Sequence, residues 1–439
     1  MLKSPLFRTI KSLFVLSFPI ILGQLGQMLI GAGDVYIASL HSTQTVAAIG
    51  VANGFINPIF LFGIGLMMGV SPLLAIKIGK GQNPRSYLKS IIVCSFLFGL
   101  ALSALMALVN ESLVEMIGIE EALVEPVKLY ISIVAWSFPF AMAFQAAKEY
   151  LQAFEEVVVP NLLSLGAVAL NIGLNYVLVF GLFSYEGLGE VGLALASLSI
   201  RILLCFVLLG YLFTRNKNWG AVSFGFIREI VKFGSPVAFM FFLEVLAFCA
   251  VSVLSGKINI VAAATNNIIM TLASITFMIP LSISSAVAVK VGNAYGSKSF
   301  DGIDQSAKAA LFISIMFTVF SASAFYFFPA AIMSLASSDS TVVELGVRLL
   351  FVVALFQIVD GLQVVLAGIL RGLERAVQTS AMVFVGYWML GIPLGVYLAF
   401  QKGIGVMGLW IGLASSLAIL ALSLGSYCLV IRRKLMRNF

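Results

Sequence analysis

The chain has 439 residues, of which 61% are hydrophobic and only 10% are charged, and its formal net charge is +7. Soluble domains are about 45–50% apolar and about 25% charged, so this composition excludes a soluble enzyme, a DNA-binding protein and a disordered scaffold. It predicts a polytopic membrane protein, in which the excess of Lys and Arg reflects their retention on the cytoplasmic side and not a nucleic-acid partner.

Long apolar runs follow one another along the whole chain. A helix needs about 20 apolar residues to cross the hydrocarbon core, and these runs lack the short alternating segments of a membrane β-barrel. The first run follows Lys3, Arg8 and Lys11 without a small-residue cleavage motif, so we expect a span there and not a signal peptide. The runs predict an all-α polytopic membrane protein with twelve transmembrane helices, at residues 12–40, 45–78, 88–109, 123–147, 160–183, 190–213, 231–256, 260–289, 307–328, 345–369, 378–400 and 406–430.

The basic residues are distributed unequally between the two sides of the predicted membrane. With the N-terminus inside, inner segments hold 21 of the 26 Lys and Arg residues. Outer segments hold only Lys128, Lys257, Arg348 and Lys402, and Arg201 falls within a span. This bias predicts that both termini are cytoplasmic.

Short segments recur at an offset of about 215 residues. Pro19 near the start of span one matches Pro236 in span seven, and AIKIG at 75–79 recurs as AVKVG at 288–292. The repeat predicts two pseudo-symmetric six-helix lobes, an N-lobe at 1–214 and a C-lobe at 231–439, joined by a cytoplasmic linker at 215–230. Parallel repeats of this kind are common in secondary transporters, with the substrate site between the halves. No phosphate-binding GxxxxGK[ST] loop is present, so ATP is not the expected driver.

Of the 19 acidic residues, sixteen lie in loops or at the ends of predicted spans. The other three lie inside spans: Asp34 in span one, Glu244 in span seven and Asp360 in span ten. An ionisable side chain within the bilayer is costly and is a functional-site hypothesis by default. The alternative is that each acid is neutral or paired and only fixes helix packing. Arg201 is the one basic residue in the middle of a span, so it cannot pair with all three.

Polar side chains of spans five and six accompany Asp34 in the first half. Asn171 and Asn175 are four residues apart, so they share one face of span five, and Ser197 lies in span six. Carboxylate, amide and hydroxyl oxygens suit hard cations such as Na⁺, and the carboxylate can instead take a proton. Hydrogen bonding between helices explains the same residues equally well. Pro19 predicts a kink in span one, either static or a moving hinge.

A membrane-embedded enzyme is not favoured. His41 is the only histidine, and the four cysteines lie far apart in apolar runs. The sequence therefore gives no support for a clustered metal site or for a Ser-His-Asp arrangement.

The order and spacing of these residues resemble the MATE (multidrug and toxic compound extrusion) family, and most closely its NorM-type branch. The resemblance covers essentially the whole chain. It is carried by Phe18-Pro19 with Asp34, NIGLNY at 171–176, GLG at 187–189 before Ser197, Pro236 with Glu244, and QIVD at 357–360 followed by GILRG at 368–372.

The resemblance implies a secondary active multidrug efflux antiporter that works by alternating access. It would export small cationic, amphipathic drugs or dyes in exchange for inward Na⁺ or H⁺, as a monomer without a cofactor in the cell inner membrane or plasma membrane. The implied N-lobe cation-binding and coupling residues are Asp34, Asn171, Asn175 and Ser197, with Na⁺ expected at the first three. The implied C-lobe residues for the cation or drug are Glu244 and Asp360, and Pro19 is the implied hinge.

Relatives often carry Tyr one turn before the acid of span ten, where this chain has Phe356. The nearest alternative function is a lipid-linked oligosaccharide flippase of the same superfamily. Such anionic pyrophosphate substrates call for basic residues in the cavity, and the spans offer only Arg201 against three acids.

Overall fold

The computed structural model of the protein describes residues 5–117, 119–182, 185–216 and 219–439. Lys3 and Lys217, two of the predicted inner basic residues, lie outside the described residues. The helices of the first half are α1 (Pro5–His41), α2 (Thr43–Met67), α3 (Val70–Gly79), a 3₁₀ turn (Pro84–Tyr87), α4 (Leu88–Ile117), α5 (Glu121–Ala135), α6 (Phe138–Ala153), α7 (Val158–Phe180) and α8 (Gly189–Arg215). Between α7 and α8, the two-residue strands β1 (Gly181–Leu182) and β2 (Tyr185–Glu186) pair in antiparallel orientation.

The regular elements of the described second half are all helical. They are α9 (Phe224–Ile258), α10 (Ile260–Gly296), α11 (Phe300–Phe327), α12 (Pro329–Ala336), α13 (Ser340–Gly372), α14 (Ala376–Phe384), a π-helical segment (Val385–Gly391), α15 (Ile392–Val396), a second π-helical segment (Tyr397–Gln401) and α16 (Val406–Asn438).

The predicted all-helical membrane fold is confirmed. In the described part of the chain, eleven helical segments are long and apolar enough to span a membrane, and α5 with α6, bent by 43° at their junction, form a twelfth. The protein is therefore a multi-pass membrane protein. Each segment overlaps one of the twelve predicted spans, and most extend beyond the predicted ends.

Three of the span prolines lie at interruptions of helical geometry. Pro139 begins α6 directly after the bend, and Pro72 lies in the first turn of α3 after the break that follows α2. Pro393 lies between the two π-helical segments of span eleven. Proline lacks an N–H group and clashes with the preceding turn, so it is tolerated at a helix start and displaces hydrogen bonds elsewhere. Pro19 and Pro236, in contrast, lie inside the continuous helices α1 and α9.

Two details of the sequence-based boundaries were wrong. Span four was predicted to end at residue 147, but α6 continues to Ala153, which places Glu149 inside the helix and buries it. The short helix α12 was not predicted, because its eight residues are too few to give a spanning pattern.

The backbone packs as two compact units. One contains residues 5–21, 75–82 and 239–439, and the other contains residues 22–74 and 83–238. The chain thus passes from one unit to the other just after Pro19 in α1 and just after Pro236 in α9. The second unit has an apolar core from several helices, including Ile49, Met106 and Phe138. Close helix packing in this unit also requires glycine, since a Cβ atom on Gly69 would lie 2.8 Å from the Cα of Gly234.

Candidate functional site

The structure brings Asp34 of α1 together with the polar residues of α7 and α8. Asn175 Nδ2 donates a hydrogen bond of 2.6 Å to Asp34 Oδ1, and Ser197 Oγ donates one of 3.0 Å to Asp34 Oδ2. Asn175 Nδ2 also donates to Asn171 Oδ1 at 3.2 Å. All four predicted N-lobe residues therefore form one buried, hydrogen-bonded cluster. Their role as ion ligands stays a prediction.

The amide orientations in this cluster show which state of Asp34 it suits. Both carboxylate oxygens accept a hydrogen bond, which satisfies a charged carboxylate. Asn175 Oδ1 and Asn171 Nδ2 are buried without a hydrogen-bond partner among the described residues. Unpaired buried polar atoms are costly. Rotation of the Asn175 amide would turn its unpaired oxygen towards Asp34, where it could contact a cation or accept a hydrogen bond from a neutral carboxyl group.

Two further residues belong to this cluster, and sequence reasoning assigned a role to neither. Tyr130 of α5 lies beside Ser197, within electrostatic range of both Asp34 and Arg201. Arg201 lies one turn after Ser197 on α8 and interacts electrostatically with Asp34. The signal for Arg201 was its position as a basic residue in the middle of a span. Nothing in the local sequence distinguished Tyr130.

The predicted C-lobe acids lie together in the unit that contains residues 239–439. Glu244 of α9 accepts a hydrogen bond of 3.3 Å from the Tyr387 hydroxyl group. Asp360 of α13 is close enough to Glu244 for their charges to interact. Both acids are buried, and Asp360 Oδ1 has no hydrogen-bond partner among the described residues. An unpaired acceptor beside a second acid favours a positively charged ligand.

Aromatic rings surround these acids. Phe356, one turn before Asp360, packs edge-on against Trp410 at 5.2 Å and against Phe248 at 6.2 Å. Phe248 also packs against Tyr387 at 6.1 Å. Tyr387 of span eleven, which sequence reasoning missed, thus places a phenol hydroxyl group beside Glu244.

A second buried polar network lies at the junction of α3 and α6. Ser71 Oγ donates a hydrogen bond of 2.5 Å to Glu149 Oε2, and Gln145 Nε2 donates one of 2.9 Å to Glu149 Oε1. Gln152 Nε2 in turn donates to Ser71 Oγ at 3.2 Å. These bonds tie α6 to the start of α3, so they fix the break after α2.

Comparison with known proteins gives whole-chain matches. The MatE family model matches twice, at residues 19–177 and 236–397, in agreement with the predicted repeat. "Probable multidrug resistance protein NorM" from Mesorhizobium japonicum is 30% identical over 430 residues, which cover 94% of this chain and 92% of the relative. "Multidrug resistance protein MdtK" from Edwardsiella ictaluri is 27% identical over 420 residues, which cover 92% of each chain.

Solved structures share the fold. The crystal structure of the eukaryotic MATE transporter AtDTX14 superposes with a TM-score of 0.89 over 99% of both chains at 22% identity. At this identity the likeness shows the architecture alone. The roles proposed for individual residues rest on the contacts of Asp34, Glu244 and Asp360 in this chain.

Proposed function

Because the chain belongs to the MATE family of transporters, we propose that it is a secondary active multidrug antiporter of the cell inner membrane or plasma membrane. It exports cationic, amphipathic drugs or dyes in exchange for inward Na⁺ or H⁺ by alternating access, as a monomer without a cofactor. The names of the relatives support drug efflux as the activity. The observation that carries the ion coupling is the Asp34 cluster, in which one buried carboxylate meets amide and hydroxyl groups of two other helices.

In the N-lobe, the coupling ion acts on Asp34. While no ion is bound, Asn175 and Ser197 donate to the two carboxylate oxygens. A proton or Na⁺ neutralises the Asp34 carboxylate, which then favours a neighbouring acceptor over a neighbouring donor. The Asn175 amide therefore rotates and turns its oxygen towards the bound proton or Na⁺. The hydrogen bonds that join α1 to α7 and α8 therefore differ between the two states. This difference lets ion binding bias the shape of α1, in which Pro19 is the proposed hinge.

In the C-lobe, Glu244 and Asp360 attract the positive charge of the drug or of the ion. Two neighbouring acids repel each other when both are charged, so one cation relieves this repulsion. An organic cation and the coupling ion then compete for the same negative charge, and binding of the ion releases the drug. The rings of Phe248, Phe356 and Trp410 supply apolar surface beside the acids, as an amphipathic cation requires.

The position of Arg201 does not favour the flippase alternative. Arg201 donates a hydrogen bond to Ser137 and lies over the ring of Phe60, with Asp34 in electrostatic range. It is therefore engaged within its own helix bundle and is not a free anion-binding group.

Dye efflux from proteoliposomes with separately imposed Na⁺ and pH gradients tests the proposal. We expect efflux to accelerate when at least one of the two gradients is directed inward and to fall to the protein-free rate in the Glu244→Gln variant. Efflux that ignores both gradients would contradict antiport. Translocation of a lipid-linked oligosaccharide without dye efflux would instead establish the flippase.

A further inference from the structure

Arg201 places a positive charge next to the Asp34 cluster. It follows Ser197 by four residues on α8, so the two side chains leave the same face of the helix. Ser197 Oγ is itself 3.0 Å from Asp34 Oδ2. The guanidinium group therefore starts from the helix face that already contacts the carboxylate.

Side chains from other helices fix the position of the Arg201 guanidinium group. Arg201 Nη1 donates a hydrogen bond of 2.6 Å to Ser137 Oγ at the α5–α6 bend. The guanidinium carbon also lies 4.5 Å from the centre of the Phe60 ring of α2, in a cation–π contact. Ser137 is held in turn by its 2.5 Å hydrogen bond to the carbonyl oxygen of Val134. These contacts hold the Arg201 guanidinium group in one position next to the Asp34 cluster.

The electrostatic partners of Arg201 are few. In the described part of the chain, Tyr130 and Asp34 are the titratable groups that interact with it. Tyr130 is neutral at physiological pH because a phenol group ionises only near pH 10. Among the described residues, Asp34 is the acid whose charge acts on Arg201. A charge held inside a membrane protein is costly unless an opposite charge compensates it.

We propose that Arg201 is the tethered counter-charge of Asp34: it compensates the carboxylate while no coupling ion is bound, and it competes with that ion for the carboxylate. Arg201 is a positioning residue in this role, because Ser197 and Asn175 hold the carboxylate oxygens and Arg201 acts through its charge.

Competition between Arg201 and the coupling ion for Asp34 should change the ion dependence of efflux, an expectation that rests on the proposed ion-coupled transport. A bound cation leaves the cluster with a net positive charge, so Arg201 weakens cation binding and promotes release of the ion. Removal of the positive charge in Arg201→Gln should lower the cation concentration for half-maximal efflux by about tenfold, a change equivalent to about 1.4 kcal/mol. Ion release should then limit turnover, so the maximal rate of efflux should fall.

A double-mutant cycle tests the pairing itself without any transport. Arg201→Gln, Asp34→Asn and the double variant are purified in detergent, and the apparent unfolding temperature of each is measured at one pH in Na⁺-free buffer. We expect Arg201→Gln to lower this temperature by about 2–4 °C in the wild-type background. Beside Asp34→Asn the same change should leave this temperature unchanged or raise it, because Arg201 then has no carboxylate to compensate its own charge.

Two further variants separate charge from packing. Arg201→Lys keeps the charge and should keep most of the coupling to Asp34 and the wild-type ion dependence of efflux. Arg215→Gln removes an exposed charge from the same helix and should be additive with Asp34→Asn. If Arg201→Gln does not accumulate as folded protein, the double variant with Asp34→Asn should recover it.

The possible results test the Arg201–Asp34 pairing and the proposed antiport separately. Additive effects of Arg201→Gln and Asp34→Asn, or no recovery of the double variant, would overturn the pairing whatever the protein transports. An intact coupling in a protein that shows no gradient-driven efflux would leave the pairing standing and reject the antiport. A normal ion dependence of efflux in Arg201→Gln would overturn the proposed competition.

Discussion

Asp34→Asn is the substitution that most directly tests the proposed N-lobe site. It removes one negative charge and changes one carboxylate oxygen to an amide group of nearly the same size. The remaining oxygen can still accept a hydrogen bond from Asn175 or Ser197, but the new NH₂ group faces a second donor. The variant therefore keeps the shape of the cluster and loses its charge.

The expected effects of Asp34→Asn on stability and on cation binding can be worked out from the hydrogen bonds and the charge of the carboxylate. Loss of one charge-assisted hydrogen bond costs about 1.5–3 kcal/mol, and removal of a buried charge returns a desolvation energy of several kcal/mol. Arg201 also loses its counter-charge, which costs further stability. The returned desolvation energy offsets these losses, so we expect a folded protein. A cation 4 Å from a carboxylate gains about 4 kcal/mol at an effective dielectric constant of about 20. Its loss corresponds to about a thousandfold weaker cation binding.

The assay is dye efflux from proteoliposomes under imposed Na⁺ or pH gradients. Wild-type protein should respond to the gradient that drives it, whereas Asp34→Asn should show the same slow rate with and without that gradient. Asp301→Asn is a matched control, because Asp301 is an exposed acid in the first turn of α11. A folded Asp34→Asn protein with the wild-type response to the gradient would refute the role of the cluster in coupling.

Three further predictions concern other parts of the chain. Glu244→Gln and Asp360→Asn should each reduce efflux at least tenfold with normal expression, measured as drug resistance in a pump-deficient cell; wild-type resistance in both would reject the C-lobe site. Hydrogen bonds from Thr341 lower the pKa of the exposed Asp339 carboxyl group below its ordinary value, so its stabilisation of the α13 N-terminus should be present above about pH 4 and should be lost as the pH falls further. Amide exchange in the first turn of α13 reports this loss, and exchange there that does not depend on pH beyond its intrinsic rate would contradict it. In a background without the native cysteines, Ala221→Cys should react with an impermeant thiol reagent only from the cytoplasmic side and Thr43→Cys only from outside; the reverse pattern would overturn the predicted topology.

The membrane class, the spans and the candidate acids all follow from local features of the sequence. Each span is a local property, because one continuous apolar run of sufficient length must cross the bilayer as a helix. Asp34, Glu244 and Asp360 stand out for the same reason, since a charge inside such a run is rare. The shared face of Asn171 and Asn175 is also local, because it depends only on the helical period.

Which of these residues contact one another depends on the packing of the helices. Asn175 and Ser197 lie 141 and 163 residues from Asp34 in sequence, yet both donate to its carboxylate. Tyr387 donates a hydrogen bond to Glu244, from which it is separated by 143 residues. The sequence pattern of a single helix cannot predict these pairings, because they depend on how the helices are rotated and packed against one another.

The placement of Arg201 shows the same limit most clearly. Its position in a span marked it as unusual, but an isolated span does not show whether a basic residue faces lipid, an anion or an acid. Only the packing of α8 against its neighbours puts the guanidinium group between Ser137 and Phe60 and within range of Asp34. The cost of burying a charge is known from the sequence, whereas the group that compensates it is set by the tertiary structure.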